Sequence, residues 1–124
     1  MLLAELGYPA SAEAMPERLE RLLAGRAAAF MAESGGQTVG LGTAQMLNAM
    51  HEDAPMVMLT TLVVAAGAQR LGVGRLLVER VEQWGRSHGA ARSVVATGLA
   101  RSGAHAFYET IGYEHKSRYY AKRL

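Results

Sequence analysis

The chain contains no cysteine and few aromatic residues, and it has no long apolar run. Without cysteine there is no disulfide framework, no thiolate nucleophile and no zinc ribbon. No apolar stretch approaches the roughly 20 residues of a membrane-spanning helix, and the N-terminus lacks the basic region and long apolar run of an export signal. We therefore expect a cytoplasmic protein with no membrane partner.

The length and charge of the chain set its class. Its 124 residues predict one domain, residues 1–124, with a single core and a single site. A formal net charge of +2 is too small to predict a nucleic-acid partner. Basic residues gather near Tyr119 and Tyr120, a pattern more typical of a solvated terminal strand. The histidines lack metal-ligand spacing, so we expect no metal.

Hydrophobic periodicity and turn residues predict an α/β fold in which a mixed sheet is flanked by helices. Residues 56–65 are apolar on both faces, which is typical of a buried central strand. The helix that follows carries an apolar stripe at 73, 77, 81 and 84. The predicted order is helix 1–6, helix 12–24, strands 26–33, 37–47 and 56–65, a helix from 73 that stops at Gly89, strand 92–97, helix 103–111 and strand 113–122.

A loop with two glycines, residues 69–75, joins the central strand to this helix. The first turn of a helix has N–H groups without intrahelical partners and the positive end of the macrodipole. Gly72 and Gly74 lack a Cβ, which lets an anion approach those donors closely. The loop therefore predicts a phosphate-binding site.

Residues that are absent from this loop exclude two classes of phosphate-binding site. A P-loop needs Lys and then Ser or Thr after its last glycine, but Val73 and Gly74 follow Gly72. A dinucleotide fingerprint needs a third glycine where Leu77 stands, and an acidic residue further on in a stretch that has none. What remains is a loop that holds a pyrophosphate with backbone N–H groups and arginines, without a metal.

Two motifs resemble those of the GNAT superfamily of acetyl-CoA-dependent N-acetyltransferases. Residues 69–74 are similar to its Gln/Arg-x-x-Gly-x-Gly/Ala motif. Residues 104–113 are similar to its Ala-x-x-x-Tyr-x-x-x-Gly-Phe/Tyr motif, and the resemblance covers essentially the whole chain. It implies a single GNAT-like domain that transfers the acetyl group of acetyl-CoA to a primary amine, on a small molecule or a peptide, by direct attack.

The resemblance also implies roles for individual residues. Tyr108 matches the tyrosine that protonates the departing CoA thiolate, and a phenol with a pKa near 10 carries that proton at pH 7. The residues expected to bind acetyl-CoA lie on the central strand, in the glycine loop and near the second motif: Leu62, Val63, Val64, Gln69, Arg70, Leu71, Gly72, Val73, Gly74, Arg75, Arg101 and Ala104.

The amine acceptor is the least determined part of the prediction. His51, Glu52 and Asp53 lie in a polar loop at 48–55 and are candidates for anchoring or deprotonating the amine. His105 lies one helical turn from Tyr108 and is a candidate for contacting substrate or orienting the phenol.

The chain also departs from the family pattern. Arg101 stands where members often carry an asparagine that holds pantetheine, and residues 58–61 lack the glutamate that many members use as a base. A CoA-binding module without turnover therefore stays an alternative. Compared with the family pattern, we expect the chain to lack the first strand, about five residues, and about two turns of the first helix. Either the fold is trimmed at one sheet edge or the sequence is incomplete. We expect the lack of this strand to expose a sheet edge, which favours a homodimer.

Overall fold

The computed structural model describes residues 16–18, 20, 25–96, 102–116 and 119–124. Residues 16–18 and 20 are helical, whereas the helix predicted at 1–6 lies outside the described residues. Of the described helices, none combines the length and the apolar character needed to cross a membrane. The other elements are β1 (Ala27–Ser34), β2 (Gln37–Leu47), β3 (Met56–Val64), a 3₁₀ helix (Ala66–Leu71), α1 (Val73–Ser87), β4 (Arg92–Val95) and α2 (Ser102–Thr110).

The four strands form one mixed sheet in the order β1-β2-β3-β4. The first two pairs are antiparallel, and β3 and β4 are parallel. The β1–β2 hairpin turns at Gly35 and Gly36, whose φ angles of +58° and +79° favour glycine. The predicted α/β fold, a mixed sheet flanked by helices, is confirmed. Within the described part of the chain, β1 and β4 are the edges of this sheet.

α1 packs its apolar stripe across the sheet. Val78 and Val81 are at most 1% exposed and share the core cluster with Val57 of β3. The helix approaches β2 so closely that a Cβ on Gly40 would lie 2.9 Å from Leu77 Cδ1. This close contact fixes the position of α1, and therefore of its N-terminus, relative to β3.

A β-bulge interrupts β3 at Thr60. On β2, Thr43 pairs with Thr61, whereas the next residue, Ala44, pairs with Leu59. Thr60 is therefore the extra residue of the longer strand. Its hydroxyl lies 2.8 Å from the hydroxyl of Thr43, which links the two strands at the irregularity.

The bulge reverses which residues of β3 face α1. Before it, Val57 faces the helix, because a Cβ on Gly85 would touch its side chain. After it, Val64 faces the helix, because its Cγ2 lies 3.7 Å from a Cβ built on Gly74. Side chains alternate along a strand, so odd-numbered residues face α1 before the bulge and even-numbered residues face it afterwards.

β3 extends beyond its pairing with β4. The parallel register runs from Met56 opposite Arg92 to Leu59 opposite Val95. β3 continues to Val64 and stays paired with β2 over this second half. Among the described residues, no strand pairs with residues 60–64 on the β4 side, and we call this side of β3 the β3 slot.

The C-terminal segment differs from its prediction. The strand predicted at 113–122 is absent from 113–116 and 119–124, the parts of it that the structure describes. Residues 114–116 are polar on both faces, so they offer a sheet no apolar side. Tyr119 and Tyr120 are 74% and 84% exposed. The strand predicted at 92–97 is also shorter, since β4 ends at Val95.

Candidate active site

The N-terminus of α1 carries free hydrogen-bond donors. Gly72 precedes the helix at φ +77°, and the first main-chain bond of the helix runs from Leu76 N–H to the Gly72 carbonyl at 3.1 Å. The N–H groups of Val73, Gly74 and Arg75 therefore precede the first N–H that donates within the helix, and they have no intrahelical acceptor. No side chain caps this end, and its first turn holds no acidic residue. Such an end attracts anions.

Arginines lie on both sides of Gly72. Arg70 belongs to the 3₁₀ helix, together with the exposed Leu71. The Arg75 guanidinium is exposed and donates to Glu79 Oε1 at 3.1 Å, one turn along α1. An exposed pair of this kind contributes little stability, so releasing Arg75 from Glu79 costs little.

Gln69 ties the loop to the end of β3. Its Nε2 donates to the Val64 carbonyl at 3.3 Å. The bond places the 3₁₀ helix directly after the strand, so the uncapped end of α1 lies next to the β3 slot. In this structure Gln69 organises the loop through its side chain.

The main-chain groups of Leu62 and Val64 face the β3 slot. Ala65 N–H donates to the Val39 carbonyl on β2 at 2.8 Å. Because N–H and C=O directions alternate along a strand, Val63 also turns its main-chain groups toward β2. Of the three strand residues predicted to bind the cofactor, Leu62 and Val64 therefore present backbone groups to the slot, and Val63 does not.

The two loop glycines have different surroundings. Gly74 is buried, and a Cβ on it would lie 3.4 Å from Phe107 Cζ and 3.7 Å from Val64 Cγ2, which are ordinary contact distances. Gly74 therefore lies where α1 packs against α2 and β3. A Cβ on Gly72 would meet nothing within 4 Å. The role of both glycines in giving an anion access stays a prediction.

Tyr108 lies on the inner face of α2. It is 9% exposed and belongs to the core cluster. Its ring packs edge-on against Phe107, with centroids 5.1 Å apart, and against Tyr113, with centroids 5.7 Å apart. The Tyr108 ring therefore packs edge-on against two aromatic neighbours, a favourable geometry for aromatic pairs. Phe107, which the sequence analysis did not select, joins Tyr108 to Gly74.

A hydrogen-bonded cluster beside Tyr108 was also missed from the sequence. The Tyr113 hydroxyl donates to Glu82 Oε2 at 2.9 Å and lies 2.6 Å from Ser93 Oγ. Burial raises the pKa of the Tyr113 phenol well above its ordinary value, and the hydrogen bond to Ser93 offsets part of that rise. The phenol therefore keeps its proton and remains a donor.

The candidate acceptor residues in the loop at 48–55 lie far from the glycine loop. Glu52 pairs with Arg92 at the beginning of β4, and His51 Nε2 lies 3.8 Å from the same carboxylate. A rise of about 3.3 Å per residue puts Met56, where β3 starts, about 26 Å from Val64. His51, Glu52 and Asp53 therefore lie at the opposite end of β3 from the glycine loop. Their predicted role toward the amine stays a prediction.

Three further candidates belong to α2 or precede it. His105 is half-buried on α2, one turn before Tyr108. Ala104 packs against the core cluster, which places it on the inner side of α2. Arg101 lies outside the described residues.

The fold and this site together define an α/β domain in which an uncapped helix N-terminus lies beside the end of the central strand. The chain belongs to the acetyltransferase (GNAT) family, whose model matches residues 1–113.

Two curated relatives come from rodents. N-acetyltransferase family 8 member 2 of Rattus norvegicus is 31% identical over 98 residues, which are 77% of this chain and 43% of that protein. N-acetyltransferase 8 of Mus musculus is 31% identical over 85 residues, 68% of this chain and 37% of that protein. The chain thus spans about two fifths of the length of these relatives.

Solved acetyltransferases share the fold. One is the aminoglycoside acetyltransferase AAC(6')-Iy in complex with the bisubstrate analogue CoA-S-monomethyl-acetylneamine. Its TM-score is 0.84 at 22% identity, and the match covers 99% of this chain and 88% of the AAC(6')-Iy chain. A GNAT family acetyltransferase from Staphylococcus aureus has a TM-score of 0.82 at 16% identity, with coverage of 99% and 84%. These likenesses agree with the mixed sheet described above.

Proposed function

We propose that this chain transfers the acetyl group of acetyl-CoA to a primary amine in a ternary complex. The observation that carries the proposal is the position of the uncapped α1 N-terminus at the end of the β3 slot. If the pyrophosphate of acetyl-CoA binds at the α1 N-terminus and the pantetheine arm lies along the β3 slot, the thioester lies near the bulge. The rodent relatives, named as N-acetyltransferases, support the same activity.

The residues that would hold acetyl-CoA fall into two groups. The N–H groups of Val73, Gly74 and Arg75 would bind the pyrophosphate, with the side chain of Arg75 adding positive charge. Along the slot, the main-chain groups of Leu62 and the N–H of Val64 would bind the pantetheine amides and the thioester carbonyl, while the Val64 carbonyl accepts from Gln69. An N–H that points at this carbonyl would stabilise the negative charge on its oxygen during attack.

In the proposed reaction, the amine nitrogen attacks the thioester carbonyl carbon, a C–N bond forms and the C–S bond breaks. Tyr108 donates its phenolic proton to the sulfur as negative charge develops there. Water takes the proton that the amine loses. No covalent enzyme intermediate forms, because the chain only positions the reactants and donates a proton.

The bulge supplies hydroxyl groups in a stretch of β3, residues 58–61, that has no carboxylate. Thr60 and Thr43 are hydrogen-bonded there, and Thr60 is exposed. A hydroxyl is a poor base at neutral pH, but it holds a water molecule well. We propose that Thr60 positions the water that accepts the amine proton.

The acceptor that we propose is a small-molecule amine, with peptide amines as the second class to test. The structural likeness to aminoglycoside acetyltransferases supports small molecules, although it rests on the fold alone. The acidic loop at 48–55 is a weaker candidate for holding the amine, because Glu52 is already paired with Arg92.

A thiol-release assay tests the function directly. The chain has no cysteine, so a chromogenic thiol reagent would report only the CoA that the reaction releases. Purified protein with acetyl-CoA is mixed in turn with aminoglycosides, polyamines, amino acids and peptides. We expect at least one class to raise thiol release well above the amine-free rate. Acetyl-CoA binding by calorimetry with no amine-dependent release would instead identify a binding module without turnover.

A further inference from the structure

Tyr113 connects β4 and α1 through its side chain. Its hydroxyl lies 2.6 Å from Ser93 Oγ on β4 and donates to Glu82 Oε2 on α1 at 2.9 Å. Since the phenol proton goes to Glu82, the phenol oxygen accepts the proton of Ser93. The two hydrogen bonds hold the ring of Tyr113 between the sheet and the helix.

The main chain of Tyr113 is bound to α2. Gly112 adopts φ +99° and its N–H donates to the Glu109 carbonyl at 3.2 Å, while Tyr113 N–H donates to the Tyr108 carbonyl at 2.9 Å. These are the two bonds of a Schellman motif, which ends a helix at a glycine. The residue after that glycine commonly packs on the residue that accepts its N–H, and here the rings of Tyr113 and Tyr108 are 5.7 Å apart.

We propose that the hydroxyl of Tyr113, held by Glu82 and Ser93, positions Tyr108 for proton donation in the β3 slot. The inference rests on the proposed function of Tyr108 and deepens it, because it names the residue that aims the acid. Tyr113 is a positioning residue, since it acts through Tyr108.

Because α2 is short, its position depends on contacts such as those of Tyr113. α2 has nine residues, so its position depends mainly on the contacts at its ends and along one face. Proton donation requires heavy atoms about 3 Å apart, and a displacement of about 1 Å costs up to a hundredfold in rate. Through Tyr113, the C-terminal end of α2 is fixed to β4, beside the slot, and to α1, which carries the anion site.

The variant Tyr113→Phe tests the hydroxyl alone, because it keeps the ring, the Schellman motif and the contact with Tyr108. We expect kcat to fall about tenfold while KM for acetyl-CoA stays within about twofold. Tyr120→Phe, the same change at a side chain that is 84% exposed, is the matched control and should leave kcat unchanged. Ser93→Ala should lower kcat in the same way, and Ser93→Thr, which keeps a hydroxyl, should restore most of it.

A second measurement does not depend on turnover. In protein labelled with carbon-13 in its tyrosine rings, the Tyr108 signal is assigned by its loss in Tyr108→Phe. Phenylalanine at 113 exerts nearly the same ring-current effect as tyrosine, so a changed Tyr108 signal reports a displaced ring. We expect the chemical shift of Tyr108 to change in Tyr113→Phe and to stay the same in Tyr120→Phe.

The outcomes separate positioning from stability. A lower melting temperature with kcat and the Tyr108 signal unchanged would make the hydroxyl a structural group only and overturn the proposal. A change in kcat without a change in the Tyr108 signal, or the reverse, would also overturn it. If the wild type acetylates no amine, the proposed function fails, and the carbon-13 comparison still decides whether the hydroxyl positions Tyr108.

Discussion

Gly85 of α1 lies directly against Val57 of β3. A Cβ built on Gly85 would stand 2.6 Å from Val57 Cγ1 and 2.7 Å from Val57 Cβ, closer than carbon atoms approach in proteins. Both residues are buried. The Cβ of Val57 is fixed by the strand backbone, so no change of side-chain rotamer relieves this contact. Packing therefore requires glycine at 85, although glycine weakens a helix interior.

Gly85→Ala should destabilise the protein by roughly 1–3 kcal/mol, because the clash outweighs a gain of about 1 kcal/mol in helix propensity. Urea unfolding measures the change. Gly103→Ala is the control, since a Cβ there meets nothing within 4 Å and the substitution should be neutral or stabilising. The double variant Gly85→Ala, Val57→Ala should cost less than the sum of its parts. Strict additivity would show that the two sites do not touch.

Gly72→Asp should weaken acetyl-CoA binding about tenfold or more, because a carboxylate at the N-cap would bond the free N–H groups and repel the pyrophosphate. Calorimetry compares this variant with Gly72→Asn, whose side chain caps the helix without a charge. The acetyl-CoA affinity of Gly72→Asn should lie between those of Gly72→Asp and the wild type. Gly67→Asp places the same charge five residues earlier in the 3₁₀ helix, at an open position. If Gly67→Asp weakens binding as much as Gly72→Asp, a general charge effect replaces the proposed anion site.

Tyr108→Phe should lower turnover about a hundredfold while acetyl-CoA affinity stays nearly constant, since the ring and its packing remain and only the proton is lost. Steady-state kinetics and calorimetry on the same preparations measure the two quantities. Turnover within about threefold of wild type, where chemistry limits the rate, would remove Tyr108 as the acid.

The raised pKa of the Tyr113 phenol predicts a loss of stability in alkaline solution. The pKa of the folded state lies above the unfolded value of about 10, so above pH 10 the unfolded chain releases a proton that the folded chain keeps. Tyr113 therefore contributes stability below pH 10, and this contribution declines as the pH rises further. Urea midpoints from pH 8 to pH 11 should fall less steeply in Tyr113→Phe. Parallel curves would show that other groups cause the decline.

Glu52→Gln should leave KM for the amine within about twofold, because Glu52 is engaged by Arg92 at the far end of β3. Its effect on stability should be no more than about 1 kcal/mol, as for other partly exposed ion pairs. Initial rates across amine concentrations measure KM. A rise of tenfold or more would return the loop at 48–55 to the acceptor site.

The element order between residues 26 and 111 is predictable from the sequence because local signals determine it. Strand bounds at 27–34, 37–47 and 56–64 differ from prediction by one residue or none, since Gly35, Gly36 and the apolar run mark them. The glycine loop is equally local, because an uncapped helix start depends only on the residues around Gly72.

Contacts between distant residues are not predictable in this way. Helical periodicity places Glu82 on the outer face of α1, yet Tyr113, 31 residues later, binds it. In the same way, Glu52 meets Arg92, 40 residues later. The glycine motif identifies Gly74, but it does not predict that Phe107 lies beside it, because that contact depends on where α2 packs.

Thr60 has no counterpart on β2, so β3 would stay paired without it. Deleting Thr60 would leave a regular strand in which Leu59 still pairs with Ala44 and Thr61 with Thr43. Leu62 and Val64 would therefore keep their partners on β2 and the face of the sheet on which their side chains lie. The strand would lose the local bend and added twist that a bulge produces, together with the hydroxyl that bonds Thr43. We therefore expect the core of the sheet to withstand this deletion, and the shape of β3 beside the slot to depend on Thr60.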